Sequence, residues 1–302
     1  MSGNWHDPHR RNPAKESVLA MRSMLRHSAA LSLTGLLLSL GGCESLVDSN
    51  LDTHGKSAVA FSTATRHQAI EIVSGNRRLA ASYVTAPAPR GPLLLIFHGD
   101  GEAIGDWSGA QAFLAAQGYD SFVFDYSGYG ASTGHPSIDH LREDAQAAYA
   151  LASKLAQRRS AGVFVVAHSL GCNVALDAAG TFSPKPLGYA LWGVMPSLRN
   201  FAARSGVLPR PLLFLIPDRW NNLRNAGDLG APTLVLHGDD DHVMTEQGSR
   251  DVAASAKPRA AFQSVRNAEH NTLYESPDLH VWAPILDMAS KSSQVQVTSR
   301  SN

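Results

Sequence analysis

From residue 68 onward, two hydrophobic patterns alternate along the chain. Short apolar runs ending in Gly read as strands, and longer stretches with apolar side chains every three to four positions read as helices. "AIEIVSG" (69–75) and "RRLAASYVTA" (77–86) flank a turn at Asn76 and predict an antiparallel pair. "PLLLIFHG" (92–99) is continuously apolar, as a strand covered on both faces should be. Further strands are expected in "YDSFVFDYSGYG", "AGVFVVAH", "PLGYALWG", "PTLVLHG" and "AAFQSV". Helices are expected in "WSGAQAFLAAQG", stopping at Gly118, and in 137–159, opened by Ser137 and Asp139 as caps. More follow from Leu170, over 245–256 and over 277–291. Residues 196–225 hold apolar side chains and prolines without a simple strand, which reads as a short cap. The predicted class is α/β: a mostly parallel central sheet with helices on both faces, in a domain over 67–292 followed by a polar tail, 293–302. In such sheets ligands bind beyond the carboxyl ends of the strands.

Ahead of residue 43 the pattern changes. "MRSMLRHSAALSLTGLLLSLGGC" carries Arg22 and Arg26, an apolar core over 29–40, then small residues before Cys43, the layout of an export signal. That core is 12 residues long; spanning a bilayer takes about 20. A signal over 1–42 is long, whereas counting from Met21 gives an ordinary length, so translation is expected to start at Met21 or Met24, with 1–20 an upstream extension. "LGGC" resembles the lipobox of bacterial lipoproteins, which implies a lipid on Cys43 and loss of everything before it. By the same resemblance, Glu44 after that cysteine permits sorting to the outer membrane, and the expected place is the cell envelope, at the outer membrane or periplasmic face rather than the cytoplasm. Residues 43–66, rich in Ser, Asp, Thr and Ala, read as a tether.

Charge and cysteine narrow the picture further. Lys plus Arg and Asp plus Glu each number 26, and no basic run stands out, which argues against a nucleic-acid partner. With Cys43 lipidated, Cys172 is the one remaining thiol, so stability has to come from the core.

The candidate chemistry lies at predicted strand ends. In "VVAHSLGCNVAL" a strand must turn sharply into a helix at Ser169, with Ala167 and Gly171 as the small residues two positions to either side. This matches the G-x-S-x-G nucleophile elbow with Ala for the first Gly. A serine hydroxyl needs a base to take its proton and a carboxylate to orient that base. Asp239, Asp240 and Asp241 follow "LVLHG", and His270 follows the last strand, in the chain order Ser, Asp, His. His168 is committed to the turn itself and His98 and His237 precede strand-end glycines, so these read as structural. "DDDH" is too local to converge on a metal ion. Cys172 reads as a small packed residue.

Four motifs, "FHGDGEAIGDW", "FDYSGYGAS", "AHSLG" and "PTLVLHGDDDHV…AEHN", resemble the α/β-hydrolase family, nearest the BEM46 and ABHD type of small-cap serine hydrolase, over about residues 68–290. The resemblance implies the α/β-hydrolase fold and a triad of Ser169, Asp241 and His270, the acid being the aspartate three residues after "HG". It also implies an oxyanion hole formed by the backbone N–H groups of Leu170 and Asp100. Many members have Asn where this chain has Asp100, and a carboxylate pointing inward there would oppose an oxyanion. The expected activity is hydrolysis of a carboxylic ester or thioester through an acyl-enzyme, without cofactor or metal. Placement at a membrane favours a fatty-acyl or lysophospholipid ester as substrate. The alternatives are a serine peptidase of the prolyl-oligopeptidase type and a non-catalytic binding lipoprotein of the same fold.

Overall fold

The computed structural model describes residues 48, 51–56, 58–61, 65–205, 209–216 and 218–300. Cys43 and the predicted signal lie outside them. Strands β1 (Arg66–Ser74) and β2 (Arg77–Thr85) form the expected hairpin, with Ser74 opposite Arg77 across a two-residue turn. Gly75 takes φ +59° there, a conformation the turn demands and glycine adopts without strain. β2 then lies antiparallel to β4 (Ser121–Phe124). The remaining strands, β3 (Leu93–Phe97), β5 (Val163–His168), β6 (Tyr189–Trp192), β7 (Thr233–Gly238) and β8 (Ala260–Val265), run parallel to β4. The eight strands are ordered β1-β2-β4-β3-β5-β6-β7-β8.

Alternate residues of the buried strands feed two apolar layers. Leu95, Phe97, Val165 and Leu191 face helices α2 (Ile138–Gln157) and α3 (Leu170–Ala178) in one layer. Leu94, Ile96, Val166 and Leu236 meet α1 (Ser108–Ala116) and the closing helix in the other. Burial on both faces is why these strands are apolar at every position rather than every second one. Ser137 caps α2, its hydroxyl accepting from the His140 N–H at 3.1 Å. Gly118, at φ +84°, turns the chain after α1, as its position past the last helical residues requires.

In three places the structure adds to what the sequence pattern shows. Residues 196–225 contain helix α4 (Leu198–Ser205), a 3-10 segment (Arg210–Leu215) and the start of α5 (Asn222–Gly227). After α6 (Glu246–Ser255), β8 and the four-residue α7 (Thr272–Glu275), the closing helix α8 covers Leu279–Arg300. Residues 293–300, read as tail, therefore continue that helix, with no Gly or Pro after Lys291 to stop it. The described part of the 43–66 tether does not hang free: Lys56 and Asp52 hydrogen-bond to the loop after β3 through Gly105 N–H (2.7 Å) and Gly101 N–H (2.8 Å). Gly55 lies so close that a Cβ there would come within 2.1 Å of the Glu102 carbonyl carbon. These bonds come from backbone groups of an irregular segment, which leaves no periodic trace in the sequence.

Candidate active site

Strands β3 to β8 all point the same way, so the turns that follow them line one edge of the sheet. Ser169 stands between β5 and α3 at φ +50°, ψ −115°, a backbone region that residues with a Cβ avoid. The turn is enforced by packing. A Cβ on Gly171 would come within 2.2 Å of the Phe97 carbonyl oxygen, and the Ser169 N–H donates to the Trp192 carbonyl at 3.0 Å. The strain is held by contacts on both sides, as expected of a built site rather than an incidental turn.

His270 brings its Nε2 to 2.9 Å from the Ser169 hydroxyl and its Nδ1 to 2.7 Å from Asp241 Oδ2. Because a carboxylate can only accept, Nδ1 carries the ring proton and Nε2 is left as acceptor for the hydroxyl. Asp241 is fixed in turn by the Val243 and Met244 N–H groups on its Oδ1, at 2.8 and 2.9 Å. Burial alone would raise its pKa, but the His270 hydrogen bond and charge, with the Met244 N–H, bring it below the ordinary carboxylate value. Asp239 and Asp240 are exposed on the same turn. Gly193, at φ +63°, gives the ring room, since a Cβ there would stand 2.9 Å from His270 Cε1. The three side chains thus form one hydrogen-bonded line, able to pass a proton from hydroxyl to imidazole and back.

Leu170 opens α3, so its N–H is among the first-turn donors that have no partner within a helix. Asp100 follows His98-Gly99 at the end of β3, and its carboxylate turns aside. Asp100 Oδ1 accepts from the Tyr129 hydroxyl at 2.7 Å and from the Asp52 N–H at 3.0 Å. The residue as a whole is exposed, but burial of the carboxyl group itself pushes its pKa up to about 7, against the downward pull of these two hydrogen bonds. The carboxylate that sequence placed beside the oxyanion position is thereby bound elsewhere.

Two titratable residues to which the sequence gives no catalytic role also meet here. Glu102 Oε1 lies 2.7 Å from His168 Nδ1, and His168 Nε2 lies 2.9 Å from the His270 carbonyl oxygen. Glu102 sits inside the quoted "HGDGEAIGDW", but nothing local in that motif marks it as the partner of a residue in the elbow. Cys172 packs as its place in the sequence suggests. Cys172 is fully buried with its thiol turned to the Ala167 and Trp192 carbonyls, and burial pushes its pKa strongly up, which leaves it unreactive. Trp107, Tyr126 and Trp192 are fully buried, and Trp220 nearly so, as core residues. Among the described residues no cluster of three or more His, Cys, Asp or Glu is arranged to hold a metal, and no helix is long and apolar enough to cross a membrane.

Known proteins with related sequence or fold agree with this architecture. The family model described as "Serine aminopeptidase, S33" (Hydrolase_4) matches residues 88–205. An uncharacterized protein of Mycobacterium tuberculosis is 28% identical over 219 residues, covering 71% of this chain and 75% of that protein. A lysophosphatidylserine lipase, ABHD12, of Danio rerio is 26% identical over 216 residues, covering 62% of this chain and 56% of its own length, so the chain spans little more than half of it. Among solved structures, the Pyrococcus furiosus esterase Pf2001 superposes with a TM-score of 0.62 at 16% identity, over 78% of this chain and 98% of that one. A soluble variant of monoglyceride lipase from Saccharomyces cerevisiae gives a TM-score of 0.62 at 16% identity, over 79% and 98%. The fold is that of the α/β-hydrolases.

Proposed function

We propose that this chain, an α/β-hydrolase in fold and in its relatives, is a serine hydrolase that cleaves a carboxylic ester or thioester. The observation that carries the reading is the line from Ser169 Oγ through His270 to Asp241, with both contacts of the imidazole under 3 Å. In this mechanism His270 Nε2 takes the hydroxyl proton as Ser169 Oγ bonds to the acyl carbon. The N–H groups of Leu170 and Asp100 receive the developing oxyanion. As the acyl–oxygen (or acyl–sulfur) bond breaks, His270 returns the proton to the leaving alcohol or thiol. Water then repeats the sequence on the acyl-enzyme and frees the acid. Asp241 stays ionised throughout and holds the ring.

A fatty-acyl or lysophospholipid ester is the substrate class we favour. Support comes from the apolar cap, where Phe214 is 70% exposed, and from the lipase activities of the lysophosphatidylserine lipase relative and the monoglyceride lipase fold neighbour. The same reading places the domain at the cell envelope on a lipid at Cys43; a Cys43→Ser protein that still partitions with membranes would refute the anchor. The aminopeptidase description of the matched family supplies a second reading, amide cleavage at a peptide N-terminus. One experiment separates them: turnover of p-nitrophenyl esters of graded acyl length beside an aminoacyl anilide, with fluorophosphonate labelling. The expected result is ester turnover and labelling that Ser169→Ala reduces by roughly 10⁴-fold. Wild-type protein labelled no better than Ser169→Ala overturns the mechanism.

A further inference from the structure

We propose that Glu102 and His168 form a constitutively charged positioning pair that holds His270 by its backbone, a role that rests on the reading of Ser169 and His270 given above. The protons follow from the partners. His168 Nε2 faces a carbonyl oxygen, which can only accept, so that nitrogen carries a proton. His168 Nδ1 faces Glu102 Oε1 at 2.7 Å, while Glu102 Oε2 already accepts from the Gly99 N–H at 2.8 Å and the Trp107 Nε1–H at 2.9 Å. A carboxyl group ringed by donors is ionised, so Oε1 sets a negative charge 2.7 Å from His168 Nδ1, an ion pair rather than an aligned hydrogen bond. A bare Nδ1 would turn its lone pair on that carboxylate oxygen, so this nitrogen is protonated as well, and the ring is an imidazolium.

The electrostatics agree with the geometry. Burial would lower the pKa of His168, but the Glu102 charge beside it raises it; burial would raise that of Glu102, but the His168 charge lowers it. The side chains are 0% and 5% exposed, an environment in which a lone charge is costly and a matched pair is tolerated. What the pair connects gives it a role. Gly99 precedes the oxyanion residue Asp100, His168 precedes the nucleophile, and the His270 carbonyl belongs to the base. The Trp192 Nε1–H reaches the same carbonyl at 2.9 Å, so two donors fix the backbone from which the His270 ring is aimed. One buried charge pair thus ties together the three loops whose spacing sets the reaction geometry, where misplacement by about 1 Å can cost about 100-fold in rate. Neither side chain touches the Ser169 hydroxyl, so the effect passes through His270 and the loops.

The test uses the full chain with Glu102→Gln, His168→Gln and the double variant. Glu102→Gln retains the side-chain shape and an acceptor oxygen but removes the charge. Each folded single variant is expected to lose about 10- to 100-fold in kcat on a p-nitrophenyl ester, with KM changed by less than about threefold. The double variant should be no worse than the worse single, since the two residues act as a unit. In the unaltered protein, ¹⁵N spectra should show one histidine ring, missing in His168→Gln, with both nitrogens protonated at about pH 8, where ordinary imidazoles are neutral. A folded Glu102→Gln protein with wild-type kcat, or a His168 ring with a bare nitrogen at that pH, overturns the inference. The ring spectrum decides even where a variant fails to fold. Failure of the wild-type protein to label with fluorophosphonate is a different outcome: it removes the nucleophile assignment, and this role with it.

Discussion

Ser169 occupies a backbone conformation that costs about 1–3 kcal/mol in isolation, and Gly171 is the neighbour that makes it feasible. A methyl group at 171 would strike the Phe97 carbonyl, which belongs to a central strand and cannot yield. Gly171→Ala is expected to lower stability by about 1–3 kcal/mol in chemical denaturation and to slow fluorophosphonate labelling. Asp241→Asn keeps the shape of its side chain but offers an amide where His270 needs an acceptor. The ring then loses the tautomer that leaves Nε2 free, and kcat should fall by about 10⁴-fold with KM nearly unchanged. The Glu102–His168 pair makes a third prediction, read in stability against pH. His168 has its pKa raised in the folded state, so its contribution is complete below the unfolded value of 6.5 and declines as pH rises through the folded one. Glu102 has its pKa lowered, so its contribution is present above 4.5 and fades as pH falls through the folded value. The stability advantage of wild type over Glu102→Gln should therefore be greatest between those limits and shrink on both sides, measured by urea unfolding across the range. An advantage independent of pH would mean the pair is not charged.

The strands, the hairpin and the helices around the sheet could be read from the chain because each is specified locally. Continuous apolar runs such as Leu93–Phe97 can only be buried on both faces, and Gly118 marks where α1 must end. Ser169, Asp241 and His270 were legible for a related reason: each follows a strand that announces itself. Glu102 was not, because its partner arrives from another strand end, and a glutamate between Gly101 and Ala103 looks like an ordinary loop residue. Within 196–225 the prolines obscure the short helices, whose few residues are held by contacts such as the Asn222 side chain on the Met195 carbonyl at 2.8 Å. This region carries its own prediction. Phe214 is 70% exposed on the 3-10 segment, so Phe214→Asp should leave the melting temperature and short-chain ester turnover unchanged. Turnover of long-chain esters should fall, and an equal loss on all chain lengths would remove the cap from substrate binding.

Across the molecule, stability and chemistry are divided between the two sides of one boundary. The apolar layers on both faces of the sheet carry the fold, while polar groups of functional interest collect where β3, β5, β7 and β8 end. The carboxyl edge of a parallel sheet is where successive loops converge without disturbing the core, so distant parts of the chain can meet there. Residues 51–56 join that edge from outside the sheet. Asp52 grips the loop from two directions, its N–H on the Asp100 carboxylate and its carbonyl on the Gly101 N–H, and Lys56 does the same at Gly105 and Asp106.

For anyone trimming this protein for the bench, the natural place to cut is just ahead of the first strand, and that cut would be a mistake. A product beginning at Thr65 should still melt as a cooperative unit, because every fully buried member of both apolar layers remains and only Leu51 and Val59, packed against their edges, are lost. Deprived of the Asp52 N–H, the Asp100 carboxylate would be held by the Tyr129 hydroxyl alone and less firmly kept from the reacting carbonyl. Such a product should label about tenfold more slowly than one beginning at residue 45. Equal rates from the two would show that the leading segment merely rests against its neighbours.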